Sequence, residues 1–345
     1  MYKVLTIVIP TYNMEKYIHR CLDSLVISDM DVFNKVEVIV VNDGSKDNSS
    51  AIAHGYENKY PGVFRIIDKV NGNYGSCVNR GIEEANGQYF RILDADDYFA
   101  PDALASFVRY IYALDEKPDL LISNFREDFE TRKSHVSNDI GGYKYNVTYQ
   151  FKDIDFGRGT MSIMHRMTYK LETIKQARLH HLEEISYTDS EYCFYPLSKV
   201  ETVMFVDILL YCYQHGRDEQ TVSKSSMHKN IHQLRLIIDR MLDSIGNDND
   251  GQYYINNSKV VLLRNLSIYY TTLLTDKFPN KEDLSGLDKR LQNHFSALYK
   301  ELGLLKKSYI PFVKLWRNGK KTNEGIYNMI FKLYDWTVLL YHKSR

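Results

Sequence analysis

Val36-Glu37-Val38-Ile39-Val40-Val41-Asn42-Asp43-Gly44-Ser45 decides how this chain folds. Its first six residues are nearly all β-branched and apolar, and the run stops at an Asp-Gly-Ser turn. A run of that length predicts a strand buried on both faces, as in a parallel sheet covered by helices. On its amino-terminal side, Val4–Ile9 forms a second such run, ended by Pro10. Between the two, Tyr17, Ile18, Cys21, Leu22, Leu25 and Val26 recur at helical spacing, with Asn13 placed to cap that helix. On its carboxyl-terminal side, a polar-started helix is expected to about Lys59, then a strand at 64–68 and a helix from about Gly75 to Ala85. Asn86-Gly87 closes that helix, with glycine in the C-cap role. Tyr89–Leu93 forms a fourth strand and runs into Asp94-Ala95-Asp96-Asp97. The alternation predicts an α/β fold, a mainly parallel sheet flanked by helices. Thr11–Asn13, Asp43–Ser45 and Asp94–Asp97 all follow strands, so they gather on one rim, where ligands of such sheets bind.

Beyond residue 100 the pattern loosens. Leu120–Ser123 and Thr202–Val206 read as strands. From Ser226 it is helical, with Ile231, Leu234, Ile238, Met241 and Ile245 on one face and Val260–Leu274 continuing it. The chain has 345 residues, 44% hydrophobic and 26% charged, which marks a globular protein. Lys plus Arg and Asp plus Glu number 44 each, so charge gives no argument for nucleic acid. Residues 304–345 nevertheless hold nine basic and two acidic residues, a net of +7. A basic tail on an acidic body points to an anionic surface such as phospholipid. The four scattered cysteines, Cys21, Cys77, Cys193 and Cys212, have neither metal-ligand spacing nor a disulfide pattern, so a reducing compartment is expected. Tyrosine is frequent, at 28 residues, which suits sugar-facing surfaces and equally a compositional habit.

Asp94-Ala95-Asp96-Asp97 is the strongest chemical signal. Three carboxylates within four residues repel one another, so they imply a cation or a positive partner. Mg²⁺ or Mn²⁺ suits hard oxygen ligands, with substrate phosphates completing the shell. A solvated acidic turn is the competing reading. Asp43, at the end of a central strand, is placed to accept from a nucleobase imide N–H; a plain turn aspartate with a positive-φ glycine is the alternative.

Ile7-Val8-Ile9-Pro10-Thr11-Tyr12-Asn13, Val41-Asn42-Asp43-Gly44-Ser45, Asn79-Arg80-Gly81 and Leu93-Asp94-Ala95-Asp96-Asp97-Tyr98, in that order and spacing, resemble glycosyltransferase family 2, an inverting family with the GT-A fold. The resemblance is strong over residues 3–100. It continues more weakly to about 225, where the chain looks like bacterial enzymes of capsular, exopolysaccharide or other cell-surface glycan synthesis. It implies a GT-A domain over 1–225, with a nucleotide-sugar-binding half (1–100) and an acceptor-side half (101–225). A helical region over 226–345 remains, for membrane or dimer contact. At matching positions it implies that Pro10, Thr11 and Tyr12 lie against the nucleotide and that Asp43 holds the base. Asp94 and Asp96 form the metal-binding pair, Asp96 as the more direct ligand, with Ala95 between them at the donor. Asn79 and Arg80 belong to the nucleotide-sugar side.

The family also places a carboxylate base after the metal motif. Here that position is Asp189 in Tyr187-Thr188-Asp189-Ser190-Glu191-Tyr192. Thr188 replaces the first acid of the usual pair, which leaves Glu191 as a rival base. The expected reaction is direct displacement: Asp189 takes the acceptor hydroxyl's proton, and the metal neutralises the leaving diphosphate. His165 and Tyr169 are expected on the acceptor side, and Arg217 over the diphosphate. The implied partners are a UDP-sugar, with dTDP as alternative, and a glycan or polyprenyl-diphosphate-linked acceptor. A homodimer is compatible with the helical region. No Gln-x-x-Arg-Trp motif is present, which argues against a processive polymerase. Residues 326–341, apolar with flanking lysines and Trp336, fit either a helix in the membrane interface or one packed on protein. The expected location is the cytoplasm, at the inner face of a bacterial membrane. A dinucleotide-binding oxidoreductase lacks its glycine fingerprint after the first strand. A catalytically inactive sugar-nucleotide-binding or scaffolding protein is the remaining alternative.

Overall fold

The structure is a computed structural model. It describes residues 2–129, 133–157, 161–215, 224–247, 252–274 and 281–304, with 313, 316 and 317. The chain forms two compact units, residues 1–220 with 241–261, and residues 221–240 with 262–345.

The first unit is built on one sheet. Strands β1 (Leu5–Thr11), β2 (Val36–Asn42), β3 (Phe64–Asp68) and β4 (Tyr89–Ile92) are linked by the helices α1 (Ile18–Asp23), α2 (Met30–Phe33), α3 (Ser49–Lys59) and α4 (Asn73–Glu84). All seven residues of β1 and of β2 are buried. Full burial of each Val, Ile or Leu is worth roughly 1.5–3 kcal/mol, so these two strands anchor the core. β1 lies between β2 and β4, parallel to both, and β3 extends the sheet beside β2.

The other strands are β5 (Tyr98–Phe99), β6 (Leu120–Phe129), β7 (His135–Ser137), β8 (Thr148–Gln150), β9 (Met167–Lys170) and β10 (Thr202–His215). Helices α5 (Ala103–Ala113), α6 (Leu171–Gln176) and α7 (Asp189–Phe194) lie between them. The main sheet order is β3-β2-β1-β4-β9-β6-β10-β5. β9 runs antiparallel to β4 and β6, while β6 and β10 are parallel to each other. The ends of β1, β2, β4, β6 and β10 therefore share one rim. Because β9 runs backwards, its beginning joins them there.

Two local expectations are corrected. Asn13 does not cap α1, which starts at Ile18 behind Tyr17. It adopts φ 54° and bridges to the next loop, accepting from the Lys46 N–H at 2.8 Å. Gly87 is not a left-handed cap either, because the residue after α4 is extended Ala85. Gly87 is needed for close approach: a Cβ there would lie 2.5 Å from the Thr6 backbone nitrogen.

Helices α8 (Lys224–Asn247), α9 (Gln252–Leu274), α10 (Lys281–His294) and α11 (Ser296–Leu304) follow. Leu234, Ile238, Met241 and Ile245 of α8 are buried, as their spacing predicts. Within the second unit Arg235 pairs with Asp239 and Asp283, and Arg317 with Asp288. Among the described residues no helix is long and apolar enough to cross a membrane. The four cysteines are free and buried. Residues 326–341 lie outside the described residues.

Candidate active site

The acidic turn sits where β4 runs out. The Leu93 N–H still bonds the Val8 carbonyl at 3.0 Å, and the turn closes with the Asp97 N–H on the Asp94 carbonyl at 3.0 Å. Arg20 of α1 donates to the Asp96 carbonyl at 3.0 Å and to the Gln214 side chain at 3.1 Å, tying the turn to β10. Asp97 is fully buried and accepts from the Tyr211 hydroxyl at 2.6 Å and the Gln214 N–H at 2.8 Å. Burial, then the charge of Asp94, pushes its carboxyl well above the usual range. Asp94 takes a bond from the Tyr74 hydroxyl at 2.9 Å.

Ligand atoms of Asp94, Asp97 and His165 lie within 4.8 Å of one another. Two carboxylates and an imidazole fit Mn²⁺ better than Mg²⁺, which prefers an all-oxygen shell. Asp96 is not in this trio; it is 7% exposed, and Ala95 beside it is 2% exposed. His165 reaches the trio because it directly precedes the antiparallel strand β9. The buried Arg91 guanidinium fixes it there, donating to the His165 carbonyl at 2.8 Å and to Thr168 at 3.2 Å. Phe125 and Tyr213 stack on the His165 ring, with centroids at 5.6 Å and 4.5 Å. This residue, expected on the acceptor side, stands beside two of the carboxylates.

Asp43 is 3% exposed, with buried Pro10 and Thr11 (2% exposed) closing β1 and half-exposed Tyr12 following it. Its carboxylate accepts from the Lys69 ammonium at 2.6 Å and from the Gly72 and Asn73 N–H groups at 2.9 Å and 2.8 Å. The Cys77 thiol also faces it, and burial with this charge raises the thiol to about 12. Asp43 thus orders the segment that follows β3.

Asp189 is exposed at the first position of α7. Burial, then the charges of Asp94 and Asp189, raises the Tyr74 hydroxyl. Burial, then Asp97, Asp94 and Asp189, raises that of Tyr213. Two rings therefore sense both the acidic turn and Asp189, although those groups are far apart in sequence. Glu191 is fully buried and accepts from the Leu182 N–H at 2.8 Å. Thr188 is buried too, and its hydroxyl has no partner among the described residues.

Three further candidates lie among other partners. Asn79 is buried and bonded to His181 and Glu183. Arg80 is exposed on α4, paired with Glu84 at 2.7 Å. Tyr169 is fully buried, edge-on to Tyr192 at 5.1 Å, so it faces the core and not a cleft. Arg217 lies outside the described residues. Sequence reasoning missed Tyr74, Lys69, Tyr211 and Tyr213. Lys69 and Tyr74 follow β3, so the rim rule that singled out Asp43 and Asp94 could have found them. The two β10 tyrosines had no such signal.

The sequence model of Glycosyl transferase family 2 matches residues 6–171. The chain is 29% identical over 227 residues to the uncharacterized glycosyltransferase EpsJ of Bacillus subtilis, covering 64% of each. Among solved structures it resembles S. aureus TarS 1–349 in complex with UDP-GlcNAc, with a TM-score of 0.61, 19% identity and 92% of each chain covered. It also resembles the mannosyltransferase PcManGT of Pyrobaculum calidifontis in complex with GDP-Man and Mn²⁺, with a TM-score of 0.50, 13% identity and coverage of 93% of this chain and 89% of that one. At these identities the two structures show the fold alone: the mixed, mainly parallel sheet flanked by helices expected of GT-A is the one shared with TarS. The match to glycosyltransferase family 2 begins in β1 and ends at the start of α6. The match to EpsJ spans less than two thirds of that protein.

Proposed function

We propose that this protein is an inverting, metal-dependent, non-processive glycosyltransferase that moves a hexose or N-acetylhexosamine from a UDP-sugar to a hydroxyl of a cell-surface glycan or lipid-linked acceptor. One observation carries the reading: ligand atoms of Asp94, Asp97 and His165 lie within 4.8 Å of one another where β4 ends. Metal-type ligands on the rim where ligands of such sheets bind support this reading, with exposed Asp189 assigned as the base. UDP is favoured because TarS, which shares the fold, was solved with UDP-GlcNAc.

In this mechanism Asp189 takes the proton of the acceptor hydroxyl as its oxygen bonds to the anomeric carbon and the bond to the diphosphate breaks. An α-linked donor gives a β-glycoside. Asp94 belongs both to the Asp94-x-Asp96 pair of the sequence and to the trio with Asp97 and His165, so it is the ligand on which the metal reading rests. A bound Mn²⁺ or Mg²⁺ would supply charge neutralisation at the leaving diphosphate. Asp43 accepts the imide N–H of the base in exchange for one of its loop donors, with Pro10, Thr11 and Tyr12 beside the nucleotide. Arg217 is assigned to the diphosphate. Residues 1–225 form the catalytic domain, and the tail at 326–341 holds the protein at the inner membrane face.

The test is heat stabilisation of the full chain by UDP, dTDP, GDP and ADP, with Mn²⁺ and with EDTA. A ligand that binds only the native state adds roughly 2.7 kcal/mol at a hundred times its dissociation constant. The expected result is stabilisation by UDP that needs Mn²⁺ and is lost in Asp94→Ala. No response to any nucleotide from folded protein would refute the reading and leave a scaffold.

A further inference from the structure

The segment between β3 and the middle of α4 touches three parts of the site at once. At one end Gly72 and Asn73 give their N–H groups to Asp43, at 2.9 Å and 2.8 Å. In the middle Tyr74 gives its hydroxyl to Asp94 at 2.9 Å. At the other end the same segment grips the loop that leads into Asp189. The Gly72 carbonyl accepts the Glu184 N–H at 2.8 Å, so one residue faces Asp43 with its donor and the loop with its acceptor. Asn79 acts like a strand edge toward this loop. Its Oδ1 accepts the His181 N–H at 2.7 Å, and its Nδ2 donates to the His181 carbonyl at 3.0 Å and to Glu183 at 2.9 Å. Gly75 permits the contact, because a Cβ there would sit 2.1 Å from the Leu182 carbonyl oxygen. Glu191 completes the grip through the Leu182 N–H.

The loop needs this grip. Arg178, Glu184 and Tyr187 hold φ values of 50°, 64° and 67°, which side chains other than glycine disfavour, and Asn73 across from them holds 69°. Such a conformation persists only where surrounding bonds over-determine it. Asp189 stands two residues beyond Tyr187, so its placement depends on those bonds.

We infer that Asn79 is a positioning residue: it clamps the loop 181–187 onto the segment that orders Asp43 and so couples occupancy of the nucleotide pocket to the placement of Asp189. This rests on the reading of Asp43 as the nucleobase site and Asp189 as the base. A nucleobase bound at Asp43 displaces one of the loop's donors, and Gly72 passes that change to Glu184. Reciprocity links affinity at Asp43 to order in the loop, but not to the rate of the chemical step, so binding and turnover can separate in a variant.

The test uses the full chain, Mn²⁺, UDP as binding probe and UDP-GlcNAc hydrolysis as turnover probe. In the unaltered protein UDP slows amide exchange at Leu182 and Glu184. Asn79→Ala binds UDP within about fivefold of the unaltered protein, lacks that slowing, and hydrolyses UDP-GlcNAc about tenfold more slowly at saturation, a coupling of ordinary size. Gly75→Ala, which pushes the Leu182 carbonyl away, gives the same split; should Asn79→Ala not fold, Asn79→Asp keeps the volume and the bond accepted from His181 but turns the contacts with Glu183 and the His181 carbonyl repulsive. Exchange slowing and turnover equal to the unaltered protein would overturn the inference. So would a loss of UDP affinity as large as the loss of turnover, which would make Asn79 a support of the pocket alone. Asp189→Asn, assayed alongside, separates the levels: full turnover in that variant refutes the reading of the base, whatever Asn79 does.

Discussion

Glu37 at the amino-terminal rim and the acidic turn at the carboxyl-terminal rim hold their carboxylates in different surroundings. At the amino-terminal rim Glu37 is buried among donors. It accepts from the Thr6 hydroxyl at 2.6 Å, the Asn86 N–H at 2.8 Å and the Asn86 side chain at 2.9 Å, with Arg65 at 3.8 Å. One acid there meets enough donors to be satisfied by the protein itself. At the carboxyl-terminal rim Asp94, Asp96 and Asp97 crowd a single turn, and two of them face His165. The same functional group fastens strands at one end and stores mutual repulsion at the other. Glu191 and Asp189, two residues apart in one helix, differ in exposure: Glu191 is fully buried and Asp189 is exposed.

The comparison can be broken most directly at Asp189 and Asp94. Asp189→Asn and Asp94→Ala are expected to lower UDP-GlcNAc turnover by about 10²–10⁴-fold. The exposed Asp189 should leave the urea midpoint nearly unchanged, within about 0.5 kcal/mol. A large loss of stability with turnover intact would place Asp189 on the structural side. Glu37→Ala is the mirror experiment. It orphans buried donors and should cost about 1–3 kcal/mol in urea unfolding with turnover within twofold. Lost turnover in stable protein would mean that the two rims are not separate in function.

The smallest effect concerns His54 of α3, which bonds Glu57 and Asp68, both at 2.8 Å. The Asp68 hydrogen bond first, then that of Glu57, raises its pKa above the ordinary 6.5. A raised histidine stabilises the fold fully below that ordinary value, and the contribution fades as pH rises through the native one. The urea midpoint should fall over that interval, and His54→Gln should flatten the fall. An unchanged pH profile in the variant would dismiss the pair as solvent-screened.

The rim itself was legible in the sequence. β1 to β4 follow from β-branched runs whose burial needs no distant partner to predict, and Asp43 and Asp94 follow from the turns that end them. The residues that complete the site were not legible, because their placement depends on strand direction. His165 stands beside the carboxylates because β9 runs antiparallel, which no local pattern signals. Tyr169, four residues on, points into the core for the same reason of register. Arg80 sits within a family motif yet faces outward on α4, one position round the helix from buried Asn79.

By itself the sequence determined that this chain builds a parallel α/β core with acidic turns on one rim, because strand periodicity and turn chemistry are local properties. Only the tertiary structure decided which carboxylates meet. Asp94, Asp97 and His165 come from two strands separated by about seventy residues and brought together by one reversed strand. A hydrogen bond or a shared cation acts over a few ångströms in space, and no spacing along a chain records that distance.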